Sequence, residues 1–231
     1  MALFNTPPHA VMTLRALARL LGYPDAALRE HLGELREALH AERALAAPRL
    51  AELDALIASL QRAAPLEAES AYVDLFDRGR ATSLHLFEHV HGDSRERGPA
   101  MIDLAQTYER AGLYLAESEL PDHLPVVLEF ASTQPPREAR EFLGEMAHIL
   151  NALFSALRER GSAYAAVPGA LLELAGEKVQ AVAVAPDAPL DADWEEPAAF
   201  DGCSVQGQAR PGQPQPIHVV RKGAPSTGAS A

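Results

Sequence analysis

The chain has 231 residues, 48% of them hydrophobic and 23% charged, with a formal net charge of -12. That is the composition of a soluble globular protein, and the length allows one good-sized core or two small ones. The negative balance argues against nucleic acid as a partner, because phosphate contacts need clustered Lys and Arg; it favours a basic partner instead. One cysteine, Cys203, excludes an internal disulfide, a Cys-based zinc knuckle and an iron–sulfur cluster.

The apolar spacing is helical almost throughout. HAVMTLRALARLLG sets Val11, Leu14, Ala18 and Leu21 on one stripe and stops at Gly22. PDAALREHLGELREAL places Leu28, Leu32, Leu35 and Leu39 at steps of four, three and four, with Pro24 in the first turn. PRLAELDALIASLQR repeats the scheme with Leu50, Leu53, Ile57 and Leu60. Further helices are predicted over Leu66–Phe76, Pro99–Ala111, Leu124–Ala131, Arg137–Arg160 and Ala163–Leu174. VQAVAVAP, residues 179–186, is the one candidate for a strand.

After about Pro186 proline and glycine rise and large apolar residues thin out. Such a segment buries too little surface to offset its ordering entropy, so a disordered tail is expected over 183–231, following an all-α helical-bundle domain over 1–182. The tail carries the only tryptophan, Trp194, in DADWEEPAAF. The N-terminus lacks the basic start and apolar run of a signal peptide, and no run of about 18 apolar residues occurs, so neither a leader nor a membrane span is expected.

Three stretches carry candidate chemistry. His85-Leu86-Phe87-Glu88-His89 fits H-x-x-E-H; on one helix the two imidazoles would share a face, with Glu88 as a general base. No third ligand or cleft is marked downstream, so a zinc hydrolase is a minor alternative. Phosphate-binding loops, dinucleotide fingerprints and nucleophile elbows are absent. The second stretch, DLFDRGRATSLHLFEHVHGDSRERG, residues 74–98, mixes Asp74, Asp77, Glu88, Arg78 and Arg80 with Tyr72, Leu75, Phe76, Leu86 and Phe87 nearby. It is either a peptide-binding groove with apolar anchors or an interhelix loop held by its own salt bridges. The third, ESELPDHLP, sets Asp122-His123 between Pro121 and Pro125 at a helix start, where Asp caps a helix and orients an imidazole.

Residues 72–113, YVDLFDRGRATSLHLFEHVHGDSRERGPAMIDLAQTYERAGL, followed by ELPDHLP, closely resemble the NarJ family of nitrate reductase assembly chaperones, within the wider TorD/DmsD/NarJ group of redox-enzyme maturation proteins. RLLGYPDAAL at 19–28 and DADWEEP in the tail extend the likeness, and Glu119 to His123 resembles the E-x-P-D-H signature of the wider group. The resemblance implies an all-α fold of the TorD/NarJ type, no catalysis, no cofactor of its own, a cytoplasmic location and a monomer or weak dimer. It implies as partner the apo catalytic (alpha) subunit of respiratory nitrate reductase, bound through its N-terminal segment. That subunit is kept competent for molybdenum-cofactor and iron–sulfur insertion before membrane docking. A related molybdoenzyme as client is the alternative. The client peptide is expected at Tyr72, Leu75, Phe76, Asp77, Arg78, Arg80, Phe87, Glu88, His89, His91, Glu119, Asp122 and His123. Since the characteristic core of the family block, LFEHVHG, begins at Leu86, His85 is an added histidine and the H-x-x-E-H match reads as coincidence.

Overall fold

The computed structural model describes residues 9–92, 94–116 and 119–183. Among these residues every regular element is helical. The chain runs α1 (Val11–Leu20), α2 (Ala26–Glu30), α3 (Leu32–Glu42), α4 (Ala47–Arg62), α5 (Pro65–Phe76), a 3-10 turn (Arg80–Thr82), α6 (Leu86–Val90), α7 (Arg97–Arg110), α8 (Leu124–Thr133), α9 (Pro136–Glu145), α10 (Ala147–Glu159), a second 3-10 turn (Ala163–Ala165) and α11 (Ala166–Ala175). The predicted stripes are the packed faces. Leu14, Ala18 and Leu21 of the first are buried, as are Leu28, Leu32 and Leu39 of the second and Leu53, Ile57 and Leu60 of the third. They join Leu124, Val127, Leu128 and most of α11 in one core.

α11 is buried on almost every side: Ala166, Val167, Pro168, Gly169, Ala170, Leu171 and Leu172 are all inside. It packs on α10, α9 and α4 and is the central helix of the bundle. Its two ends are fixed differently. Arg49 of α4 crosses Gly169 so closely that a Cβ there would strike the guanidinium. Gly176 ends the helix at φ +76, and the Arg140 guanidinium fills the space that a side chain would take while Arg140 Nε donates to the Ala175 carbonyl at 3.1 Å.

Two predicted helices are each broken in two. The 24–39 helix is interrupted at His31, and Asp25, not Pro24, marks its start by accepting the Leu28 N–H at 2.8 Å. The long Arg137–Arg160 helix breaks at Met146, where φ -92 and ψ 3 leave the helical region. The break lets α9 and α10 pack separately on α11. The strand candidate at 179–186 is not a strand over its described part, 179–183. Those residues run along α10 instead, with the Gln180 N–H bonded to Asn151 Oδ1 at 2.6 Å and the Val182 N–H to Ser155 Oγ at 3.1 Å. Residues 184–231, including Trp194, Cys203 and the tail expected to be disordered, lie outside the described residues. No helix among the described residues is long and apolar enough to cross a membrane.

A Gly176→Ala substitution forces a side chain into the left-handed region and onto Arg140. It is expected to lower stability by about 1–2 kcal/mol, read from urea unfolding, with the slope of the transition unchanged.

Candidate functional site

The two sequence-distant stretches meet at one buried carboxylate. Asp122 is fully buried, in the loop before α8. Its Oδ2 accepts the Phe87 N–H at 3.1 Å and lies 3.9 Å from the Arg97 guanidinium; its Oδ1 lies 3.4 Å from His85 Nδ1. Its backbone continues the tie. The Leu86 N–H donates to the Asp122 carbonyl at 3.0 Å, and the Leu124 N–H to the Leu84 carbonyl at 2.8 Å. His85 and His123 face each other in an antiparallel bridge, with their rings stacked at a centroid distance of 5.1 Å. The segments 84–87 and 121–124 therefore form a short clasp. α6, only five residues long, is held at its N-terminus by this carboxylate.

A second layer braces the clasp. Arg97 reaches Glu88 at 3.5 Å as well as Asp122. The His89 Nε2–H donates to the Ser83 carbonyl at 2.9 Å, and the Thr82 hydroxyl donates to the Leu75 carbonyl. Arg160, at the end of α10, donates to Thr82 Oγ1 at 2.9 Å. The Phe87 ring lies edge-on to His91 at 5.5 Å. The Tyr108 hydroxyl of α7 donates to the Pro121 carbonyl at 2.8 Å, and the ring packs on Phe130 of α8 at 4.6 Å.

The charges of the clasp are coupled. Burial alone pushes the Asp122 carboxyl up, but the His85 bond, the Phe87 N–H and the Arg97 charge outweigh it and hold the group below its ordinary value. The Asp122 bond raises His85 above the ordinary imidazole value against its own burial. Burial, reinforced by the His85 charge, lowers His123.

The expected client-binding residues divide into three groups. Phe87, Glu88, His89, His91, Asp122 and His123 belong to the clasp, and the Arg80 guanidinium lies against Gly92 at its edge. Tyr72 and Phe76 are buried in an aromatic group with Tyr164, where the Tyr72 hydroxyl donates to the Leu21 carbonyl at 2.7 Å. Burial and the Asp77 charge raise the Tyr72 phenol to about 12. Tyr72 and Leu75 also line an apolar depression of about 310 Å³ between α4, α5 and the second 3-10 turn. Arg78 pairs with Asp74 at 3.0 Å on the exposed face of α5, and Asp77 caps that helix in solvent. The structure therefore does not bring Tyr72, Leu75 and Phe76 into one cleft with Phe87.

Glu119 belongs elsewhere. It accepts the Ala116 N–H at 3.1 Å and, with Leu113, Tyr114 and Leu115, lines the larger groove, about 440 Å³, beside α1 and α8. Tyr108, Val126 and Phe130 give this groove its apolar surface, Tyr114 stands on its rim at 81% exposure, and Arg15, Arg19 and Glu129 supply charge. Apart from Glu119, sequence reasoning missed all of these. The available signal was in α8, which is apolar on two faces. Leu124, Val127, Leu128 and Ala131 fill the core, while Val126 and Phe130 face the groove.

The zinc reading fails on geometry. α6 begins at Leu86, so His85 is extended (φ -89, ψ 106) and shares no helical face with His89. His85 turns to Asp122 and His89 to Ser83. No group of three metal-ligating side chains occurs among the described residues.

With this geometry in place, comparison with known proteins places the chain. Residues 22–167 match the family model "Nitrate reductase delta subunit". The chain belongs to that family. It is 45% identical over 196 residues to the nitrate reductase molybdenum cofactor assembly chaperone NarJ of Escherichia coli K12, covering 80% of this chain and 83% of that one. It is 39% identical over 193 residues to the same organism's "Probable nitrate reductase molybdenum cofactor assembly chaperone NarW", covering 79% and 80%. The fold matches that of an Archaeoglobus fulgidus protein described as a redox enzyme maturation protein, with a TM-score of 0.51 at 21% identity over 77% of this chain and all of the other. The family is one of maturation chaperones, not of enzymes.

Asp122→Asn keeps an acceptor for Phe87 but removes the charge facing His85 and Arg97. We expect a loss of about 2 kcal/mol by urea unfolding. The His85 contribution is complete below the ordinary imidazole pKa and disappears as pH rises through its raised folded value. The Asp122 contribution is complete above the ordinary carboxylate pKa and disappears as pH falls through its lowered folded value. The difference between wild type and variant should therefore be greatest at roughly pH 4–6.5 and shrink on both sides.

Proposed function

We propose that this protein is a dedicated assembly chaperone for a nitrate reductase, and that it holds the apo catalytic subunit by its N-terminal segment in the groove lined by α1, α8, residues 113–115 and Glu119. The observation that carries this reading is the way the groove is built on the clasp. Its floor residue Tyr108 bonds the Pro121 carbonyl, and Glu119, three residues before Asp122, stands at its edge. The groove is thus an extension of the stretch that carries the family resemblance.

Its chemistry suits the ligand. An amphipathic helix sets apolar residues at i, i+3, i+4 and i+7 into a groove, and Tyr108, Val126 and Phe130 offer that surface. Glu119 and Glu129 suit basic side chains, and the net charge of -12 speeds encounter with a cationic segment. The clasp residues Phe87, Glu88, His89, His91, Asp122 and His123, with Arg80 beside them, act in this reading by holding the groove in shape. Tyr72, Leu75, Phe76, Asp77 and Arg78 stand apart from it. The 310 Å³ depression lined by Tyr72 and Leu75 is the second reading for the binding place, favoured by its apolar walls. In the cell the complex keeps the subunit competent for molybdenum-cofactor and iron–sulfur insertion in the cytoplasm, and the chaperone acts as a monomer or weak dimer with no cofactor of its own. A related molybdoenzyme is the alternative client.

Calorimetric titration with a synthetic peptide copying the N-terminus of the same organism's nitrate reductase catalytic subunit tests both client and place. Tyr114 is 81% exposed, so Tyr114→Ala removes groove surface without disturbing the core. It should weaken binding about tenfold. Ala71→Arg, which fills the other depression, should leave binding unchanged. Loss of binding with Ala71→Arg and none with Tyr114→Ala moves the site to the α4–α5 depression. No binding to either protein removes the proposed client.

A further inference from the structure

Past Gly176 the chain turns onto α10 and is fastened to it by a ladder of hydrogen bonds. The Gln180 N–H donates to Asn151 Oδ1 at 2.6 Å and the Val182 N–H to Ser155 Oγ at 3.1 Å. Both side chains are held as acceptors. Asn151 Nδ2 donates back to the Ala147 carbonyl at 2.9 Å, and the Ser155 hydroxyl to the Asn151 carbonyl at 2.8 Å. The rungs therefore repeat every two residues of this strap and every four of the helix. Two residues of extended chain span about 6.6 Å and four residues of helix rise about 6 Å, so the two stay in step. The strap heads toward the C-terminal end of α10. The next rung is set in the sequence. Two residues past Val182 is Val184, and four residues past Ser155 is Glu159, an exposed acceptor and the last residue of α10. The position after that is Pro186, which has no N–H to give, so the ladder ends where the helix ends. Just beyond the helix, Ser162, Ala163 and Tyr164 line the depression of about 310 Å³ that Leu60, Tyr72 and Leu75 also line. Tyr164 is buried, and its hydroxyl has no hydrogen-bond partner among the described residues.

We propose that Val184 continues the ladder to Glu159 and that Val184, Ala185 and Pro186 cover this depression, so that its occupant is the chain itself. Reach and direction argue for it. Seven residues separate Ser155 from Ser162, about 10 Å at helical rise, and the four steps from Val182 to Pro186 span about 13 Å of extended chain. The chemistry agrees. Val184, Ala185 and Pro186 bring only apolar side chains to walls of Leu60, Tyr72 and Leu75, and their carbonyls supply an acceptor for the Tyr164 hydroxyl. The two observed rungs already fix the chain up to Val182, so the added loop-closure cost is small. The inference does not depend on the client reading. It assigns the depression to the chain's own strap and leaves the groove beside α1 and α8 for a partner.

Disulfide trapping in the full chain tests the proposal. On a Cys203→Ser background, which removes the single native thiol, Ala185→Cys is paired either with Ala63→Cys in the depression or with Ile102→Cys, an exposed position on α7. Ala185→Cys leaves Val184 and Pro186 in place. In a glutathione redox buffer the 185–63 disulfide should form about tenfold faster than the 185–102 disulfide, because docking raises the local thiol concentration. Ala71→Arg, which fills the depression, should remove that advantage, and Glu159→Ala should reduce it about threefold by taking away the third rung. Equal rates for the two pairs, or an advantage that survives both Ala71→Arg and Glu159→Ala, overturns the proposal. The catalytic-subunit peptide should leave the 185–63 rate unchanged at saturation. A rate that falls as the peptide binds gives the depression to the client and overturns the proposal as well.

Discussion

One buried carboxylate organises the functional half of this protein. Asp122 has no exposed surface, and a lone carboxylate in such a place would be strongly disfavoured. It is tolerated because a backbone N–H and an imidazole from residues 85–87 and a guanidinium from the start of α7 converge on it. Satisfying that charge obliges residues 84–87 to lie against 121–124, fixes the start of α6, and draws in Arg97 at the start of α7. Removing any one partner leaves part of the charge unsatisfied, so the clasp is cooperative in a way that a set of surface pairs is not.

The groove follows from the clasp. α7 meets the bundle mainly at its C-terminal end, where Tyr108 is its one buried residue. That residue does two things at once: its hydroxyl satisfies the Pro121 carbonyl beside Asp122, and its ring covers Phe130. Leu113, Tyr114, Leu115 and Glu119, which follow it, line the groove together with Arg15 and Arg19 of α1. The signature thus has Asp122 in the clasp and Glu119 on the groove, whose other lining residues come from α1, the end of α7, residues 113–115 and α8.

The bundle itself was largely legible in the sequence. Stripes such as Leu28, Leu32 and Leu39, or Leu53, Ile57 and Leu60, are period-3.6 signals with one meaning, and each became a buried face. The breaks at His31 and Met146 were not legible, because neither position carries a proline or glycine and both depend on how neighbouring helices pack. The recognised stretches identified the clasp but not the groove. Aromatic residues near charges suggested one cleft shared by Tyr72, Phe76 and Phe87, whereas Tyr72 and Phe76 pack with Tyr164 and Phe87 lies against His91. Conversely, Arg15 and Arg19 look like ordinary solvent-facing positions of α1. Only the long-range meeting of α1 and α8 with Tyr108 and residues 113–115 sets them on the groove.

The link between clasp and groove is the central claim, and Tyr108, which lines the groove and bonds the Pro121 carbonyl through its hydroxyl, is the side-chain tie between them. The most direct measurement is therefore the affinity of Tyr108→Phe for the catalytic-subunit peptide, determined alongside its unfolding free energy. The account predicts an affinity several-fold weaker and a stability loss of only about 1 kcal/mol, since one hydrogen bond goes and the ring stays. Unchanged affinity with the same loss of stability would contradict it, and would mean that the clasp holds the fold together without shaping the groove.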